Sequence, residues 1–307
     1  MVFLDKRINV ICDEMKKYAV RQRVPVENIR YKEGNFLRPR DAEADGTPFA
    51  PFDSQRMHWY GPDRHYWFRA EITVPESFAG RSLWLHVRTQ IDEWDDAKNP
   101  QFLLFVNDEI VQGMHLAVRQ LDGGQLMDAL AQFPHIAVGK LQGFTGILHT
   151  EFNLIFELRE IDPDLEGLYW DLYVPLSAFP RLDPQDTRRM ALERVMNDAV
   201  NLLDLRTPYS DAYMDTVRQA RAYLQKHLYE ELGGHADIIA SCIGHTHIDV
   251  AWWWTVAQTR EKVARSFATV LKLMDEYPGY KFMSSQPQLY AFLKERYPEL
   301  YEKAKQR

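Results

Sequence analysis

The sequence predicts a multidomain α+β chain: a β-sandwich accessory domain, a helical hairpin, and then the first βα units of an α/β domain. Three observations carry this expectation. Across 31–182, short apolar or alternating runs are separated by Gly, Pro, Asn and Asp; across 183–234 the hydrophobic period turns helical; across 235–307 strand-like and helix-like segments alternate. With 307 residues the chain also exceeds the usual size of a single core.

Residues 1–30 are read as an N-terminal helical segment, because Leu4, Ile8, Ile11, Cys12, Met15 and Ala19 fall on one stripe over 4–19. In 31–182, the runs "HYWFRAEITVP", "RSLWLHVRT", "QFLLFVNDEIVQG", "GILHTEFNLIFELREI" and "LYWDLYVPL" read as strands. Within "FLLFVNDEIVQG", Asn107 and Asp108 tolerate a tight turn, so a hairpin is expected there. The helical hairpin of 183–234 puts Tyr213, Val217, Ala220, Leu224 and Leu228 on one face and stops at Gly233 and Gly234.

The last segment, 235–307, opens with "DIIASCIG", a short continuous apolar run suited to a parallel strand buried on both faces. Thr255 and Gln258 have the spacing of a capping box, and Val263, Phe267, Val270, Leu271 and Met274 form the inner stripe of the helix that follows. "KFMSS" then reads as a second strand, and "SQPQ" opens another helix running towards Arg307. Two βα units cannot cover both faces of a parallel sheet, so the chain is expected to be a piece of a larger enzyme. Docking of these units on the sandwich, or on a second copy in a homo-oligomer, would hide their apolar helix faces.

Charge narrows the partners. A net charge of −7 with scattered Lys and Arg argues against nucleic acid or an anionic membrane and favours a small polar ligand. The two cysteines, Cys12 in a helical pattern and Cys242 in a buried-strand pattern, indicate neither a disulfide framework nor a thiolate metal site, which fits a reducing cytoplasm. "MVFLDKRINVICDEMKKY" is broken by charges and has neither the apolar core of a signal peptide nor a spanning segment. An aromatic content of 13% with eight Trp hints at aromatic-lined, carbohydrate-binding surfaces.

The chemistry concentrates in "GHTHIDVAWWW". His245, His247 and Asp249 sit at alternate positions at the carboxyl end of a strand beginning at Asp237, where α/β architectures place their ligands. Two imidazoles and a carboxylate projecting into one space suit zinc, with further ligands from distant sequence. The plainer alternative is a set of hydrogen-bonded polar residues where a strand meets water. Trp252, Trp253 and Trp254 follow directly; they fit the wall of a sugar pocket, although Trp253 and Trp254 also fit core packing.

These residues resemble a known family. "GHTHIDVAWWWTVAQTREKVARSF", continued by "LMDEYPGYKFMSSQPQLYAFLKERYPELYEKAK", is similar to the start of the catalytic domain of the α-mannosidases of glycoside hydrolase family 38. "HYWFRAEITVP" and "FVNDEIVQG" look like the accessory β-domain of its bacterial and cytosolic members, so the resemblance spans nearly the whole chain and is most specific over 244–307. It implies a barrel-like α/β catalytic domain with one zinc per full-length subunit, and retaining hydrolysis of α-mannosidic bonds in oligosaccharides. It places the first two zinc ligands on His247 and Asp249 and the sugar-stacking ring on Trp252, with His245 hydrogen-bonding to orient a ligand. The family's aspartate nucleophile, acid/base carboxylate and last zinc-binding histidine lie beyond the matched segment. The 307 residues alone are therefore expected to be inactive.

Two other readings make different demands. A metal hydrolase of the amidohydrolase kind would bind metal through His245 and His247 and leave Asp249 unused. A non-catalytic carbohydrate-binding or assembly module would use surface aromatics of the β-domain, with Trp59, Trp67, Trp84 and Trp94 as candidates.

Overall fold

A computed structural model of the chain describes residues 3–60, 64–89, 101–115, 136–144, 151–233, 240–252 and 254–307. Helices and sheets are both extensive. In chain order the helices are α1 (Leu4–Ala19), α2 (Pro39–Ala44), α3 (Pro163–Ala178), α4 (Thr187–Asn201), α5 (Asp211–Leu224), α6 (Val256–Glu276), α7 (Pro287–Arg296) and α8 (Pro298–Gln306). The strands are β1 (Val20–Pro25), β2 (Arg30–Glu33), β3 (Ala50–Pro51), β4 (Trp59–Tyr60), β5 (His65–Ile72), β6 (Leu83–Arg88), β7 (Gln101–Val106), β8 (Glu109–His115), β9 (Ile136–Phe144), β10 (Glu151–Phe152), β11 (Ile155–Ile161), β12 (Gly244–His245) and β13 (Phe282–Met283). They form two compact units, each made from separated stretches: 1–23 with 159–240, and 24–158 with 241–307.

The first unit is helical. The α1 stripe is buried as its spacing predicts, from Leu4 and Ile8 through to Ala19, and it shares a core with Leu165, Leu168 and Leu172 of α3 and Val217 and Leu224 of α5. The hairpin helices α4 and α5 are capped by Asp186 and Ser210, whose side chains accept from backbone N–H groups of the first turn. A π-helical stretch, Gln225–Leu232, continues α5.

One segment departs from expectation. "LYWDLYVPL" lies within helix α3, not in a strand. Its aromatic and β-branched residues suggest β, but the local signals are helical: Asp162 caps through bonds to the N–H groups of Asp164 and Leu165, Pro163 takes the first turn, and Leu165, Leu168, Leu172 and Leu176 recur on one buried face. Tertiary burial of that face outweighs the β propensity of Tyr169, Trp170 and Tyr173.

The second unit is built around a six-stranded sheet in the order β3-β2-β5-β9-β7-β8, with antiparallel pairing throughout its recorded registers. The β7–β8 hairpin turns where the sequence predicts it: Asn107 and Asp108 both take positive φ, 50° and 69°, and Val106 faces Glu109 across the turn. Tyr66, Phe68, Ala70 and Ile72 of β5 and Phe102 and Leu104 of β7 share a core with Leu85 and Val87 of β6 and Phe156 and Leu158 of β11. The residues between them, Trp67, Leu103 and Phe105, join a different core with Val263, Ala264 and Phe267 of α6 and Leu289 and Leu293 of α7. The sheet is thus buried on both faces, which explains why β5 and β7 read as nearly continuous apolar runs.

Candidate functional site

The site segment leaves β12, which pairs in parallel with β13 through Gly244 opposite Phe282 and His245 opposite Met283. This parallel pair is the one expected from two successive βα units. The apolar run before it differs from expectation. Strand structure among its described residues is confined to Gly244–His245, residues 240–243 are exposed, and Cys242 is an exposed free thiol, not a buried one. A parallel strand becomes buried on both faces only when neighbours and helices cover it, and here β13 is the partner of β12.

Beyond His245 the backbone leaves the strand, yet side chains still alternate. His245 is exposed, Ile248 is buried in the core shared with α6 and α7, and His247 and Asp249 emerge on either side of it in sequence. Burying Ile248 forces its neighbours outward together. The imidazole Nε2 of His247 lies 3.0 Å from Asp249 Oδ1, with the two side chains 72% and 41% exposed. Nitrogen and carboxylate ligands bind zinc at about 2.0–2.2 Å, which at a tetrahedral angle separates them by roughly 3.3 Å. The separation is that of a hydrogen bond and is also compatible with two adjacent corners of a zinc site. Among the described residues no group of three or more His, Cys, Asp or Glu is arranged to hold a metal, so His245 does not join the pair.

Trp252 is 69% exposed and meets Trp254 edge-on, ring centroids 5.7 Å apart. Trp254 is more enclosed: its indole N–H donates to Thr259 Oγ1 at 3.1 Å, and Lys262 Nζ stands 4.3 Å from its ring centroid. Trp253 lies outside the described residues. Of the β-domain tryptophans, Trp59 and Trp67 are buried in the two cores of the sheet and Trp84 is half-buried, so these three do not form an exposed glycan surface; Trp94 lies outside the described residues.

Helix α6 starts immediately after the site. Thr255 and Gln258 complete the predicted capping box, each side chain bonding the other's backbone N–H. The predicted stripe holds for Val263, Phe267 and Val270, which are buried, while Leu271 and Met274 are half-buried. Sequence reasoning missed the charges on the same face. Glu261 is buried with its Oε1 2.9 Å from His65 Nε2 of β5, and Arg265 is buried with a bond of 2.5 Å to Gln101 Oε1 of β7. Burial lowers the pKa of Arg265 against the opposing pull of Glu261 and Tyr297. Burial, then Glu261, pushes the Tyr297 phenol up to about 12.

Comparison with known proteins covers this same region. Residues 237–307 match the description "Glycosyl hydrolases family 38 N-terminal domain". The Saccharomyces cerevisiae protein named Alpha-mannosidase is 32% identical over 268 residues, covering 76% of this chain and 24% of that protein. Residues 237–307 are thus a family 38 N-terminal segment. Other family relatives are Alpha-mannosidase G of Dictyostelium discoideum, 26% identical over 98% of this chain and 27% of its own, and Alpha-mannosidase 2C1 of Homo sapiens, 28% identical over 76% and 22%. The chain spans about a quarter of the length of these relatives. Among the described residues no helix is long and apolar enough to cross a membrane.

Proposed function

We propose that this chain is the N-terminal part of a zinc-dependent, retaining α-mannosidase that removes terminal α-mannosyl residues from oligosaccharides in the cytoplasm, with one zinc per full-length subunit. The observation that carries the reading is the approach of His247 Nε2 to Asp249 Oδ1, 3.0 Å, inside the segment that matches family 38. In this reading the strands within 31–182 supply the accessory β-domain and 235–307 begins a barrel-like catalytic domain. Homo-oligomers are compatible with it, and neither nucleic acid nor a membrane is a partner.

His247 and Asp249 would hold the metal, which when bound would supply a Lewis-acidic template for adjacent sugar hydroxyls. Trp252, exposed beside Trp254, offers its ring to the apolar face of the sugar. His245 orients the site by hydrogen bonding. Retention requires two carboxyl groups about 5 Å apart, one attacking the anomeric carbon and one serving as acid and then base. Residues outside the 307 supply them in this reading.

The test uses the full-length protein and an aryl α-mannoside. Turnover should disappear on chelation and return with zinc, and the first-formed mannose should be the α-anomer by proton NMR. Trp252→Ala should raise KM about tenfold, the loss of one stacking contact of roughly 1–1.5 kcal/mol. A β-anomeric first product would exclude retention, and native kinetics in Trp252→Ala would remove that ring from the site.

A further inference from the structure

We propose that Thr259 and Gln286 are positioning residues, one from each βα unit, that fix the backbone between His247 and Asp249; the inference rests on the mannosidase reading above. Thr259 is fully buried in the first turn of α6. A threonine there ordinarily bonds the carbonyl four residues back. That bond to Thr255 O is present at 3.2 Å, but the hydroxyl lies nearer Val250 O, at 2.5 Å, with Asp249 O at 3.3 Å. A hydroxyl has one proton and two lone pairs. The proton goes to the closest carbonyl, Val250 O, and a lone pair accepts the indole N–H of Trp254. One side chain thereby joins the residue after the proposed metal ligand to the tryptophan beside the proposed sugar platform.

Gln286 makes the complementary contact. It occupies the N-cap of α7 yet makes no side-chain capping bond; its Nε2 donates to Ile248 O at 3.0 Å. The carbonyls of Ile248 and Val250, one on each side of Asp249, are thus held by side chains from two different helices, while the Ile248 side chain is sunk in the core. These anchors hold the backbone that carries both ligands, and from it the two side chains reach the 3.0 Å approach.

The experiment measures amide hydrogen exchange across 248–252 in metal-free, full-length protein, with zinc affinity as a second readout. Thr259→Val removes both hydroxyl bonds and keeps the shape, so exchange should rise about tenfold while 263–276 stays native. Thr259→Ser should restore protection to within about twofold, and Gln286→Met should raise exchange about fivefold. The zinc dissociation constant should rise about 10- to 100-fold in Thr259→Val, as for outer partners of metal ligands. Native exchange in Thr259→Val overturns the proposal; if that variant does not fold, native exchange in Gln286→Met does so. A full-length native protein that binds no zinc and cleaves no mannoside would sink the mannosidase reading instead, and the exchange data would still decide whether these side chains hold the segment.

Discussion

Cys12 and Cys242 differ in access, one of the properties that govern thiol reactivity. Cys12 faces the helical core, and burial, helped by Asp13, pushes its pKa up to about 11, so at neutral pH it is a protonated small hydrophobe. Cys242 is exposed just before β12. In the folded 307-residue chain at pH 8, iodoacetamide should therefore add one carbamidomethyl group, on Cys242, and the second only after denaturation; peptide mass mapping reads the sites. Labelling of Cys12 first would contradict the buried α1 face. At this scale the sequence exposes what depends on spacing, such as the His247 and Asp249 pairing and the Thr255 and Gln258 box. It hides Thr259 and Gln286, because their partners are backbone carbonyls, which every residue carries and no spacing marks.

Helices α1, α5 and α6 were legible because their apolar stripes recur at helical spacing and are buried where that spacing puts them. Helix α3 was not, since its aromatic composition points to strand while its Asp162 and Pro163 start signal is short. The charged face of α6 was hidden for another reason: Glu, Arg and Lys are normally exposed, so Glu261, Arg265 and Lys272 give no hint that they lie inward. Their burial makes a strong prediction. Glu261→Leu would leave the buried Arg265 without its opposing charge and break the contact to His65, costing about 3–5 kcal/mol. A denaturant midpoint measured with unchanged slope checks this. A loss within about 0.5 kcal/mol would mean that Arg265 is neutralised otherwise, and the anchoring of α6 to the sheet would have to rest on apolar packing alone.

Each compact unit is assembled from two stretches far apart in sequence, 1–23 with 159–240 and 24–158 with 241–307, an arrangement that no local pattern encodes. The proposed chemistry is divided in a comparable way. In the proposed site the donors brought together are His247 and Asp249, and among the described residues no third His, Cys, Asp or Glu joins them. Two protein ligands leave half of a tetrahedral shell to water, so zinc should bind the 307-residue chain far more weakly than a closed or three-ligand site does. The proposed reaction makes a second demand. Retaining hydrolysis proceeds through a covalent glycosyl intermediate, which needs a carboxylate nucleophile across the sugar from an acid/base group at about 5 Å. In the proposed site Asp249 would hold the metal beside His247 and so would not be that nucleophile. In the proposed site, stacking on Trp252 would strengthen binding of ground and transition states alike and would not replace that covalent step. Purified 307-residue chain, assayed with an aryl α-mannoside and added zinc, should therefore release no aglycone above the uncatalysed rate, whereas the full-length protein should. Zinc-dependent turnover by the 307-residue chain would mean that its own carboxylates complete the site and that the catalytic pair must be sought within these residues.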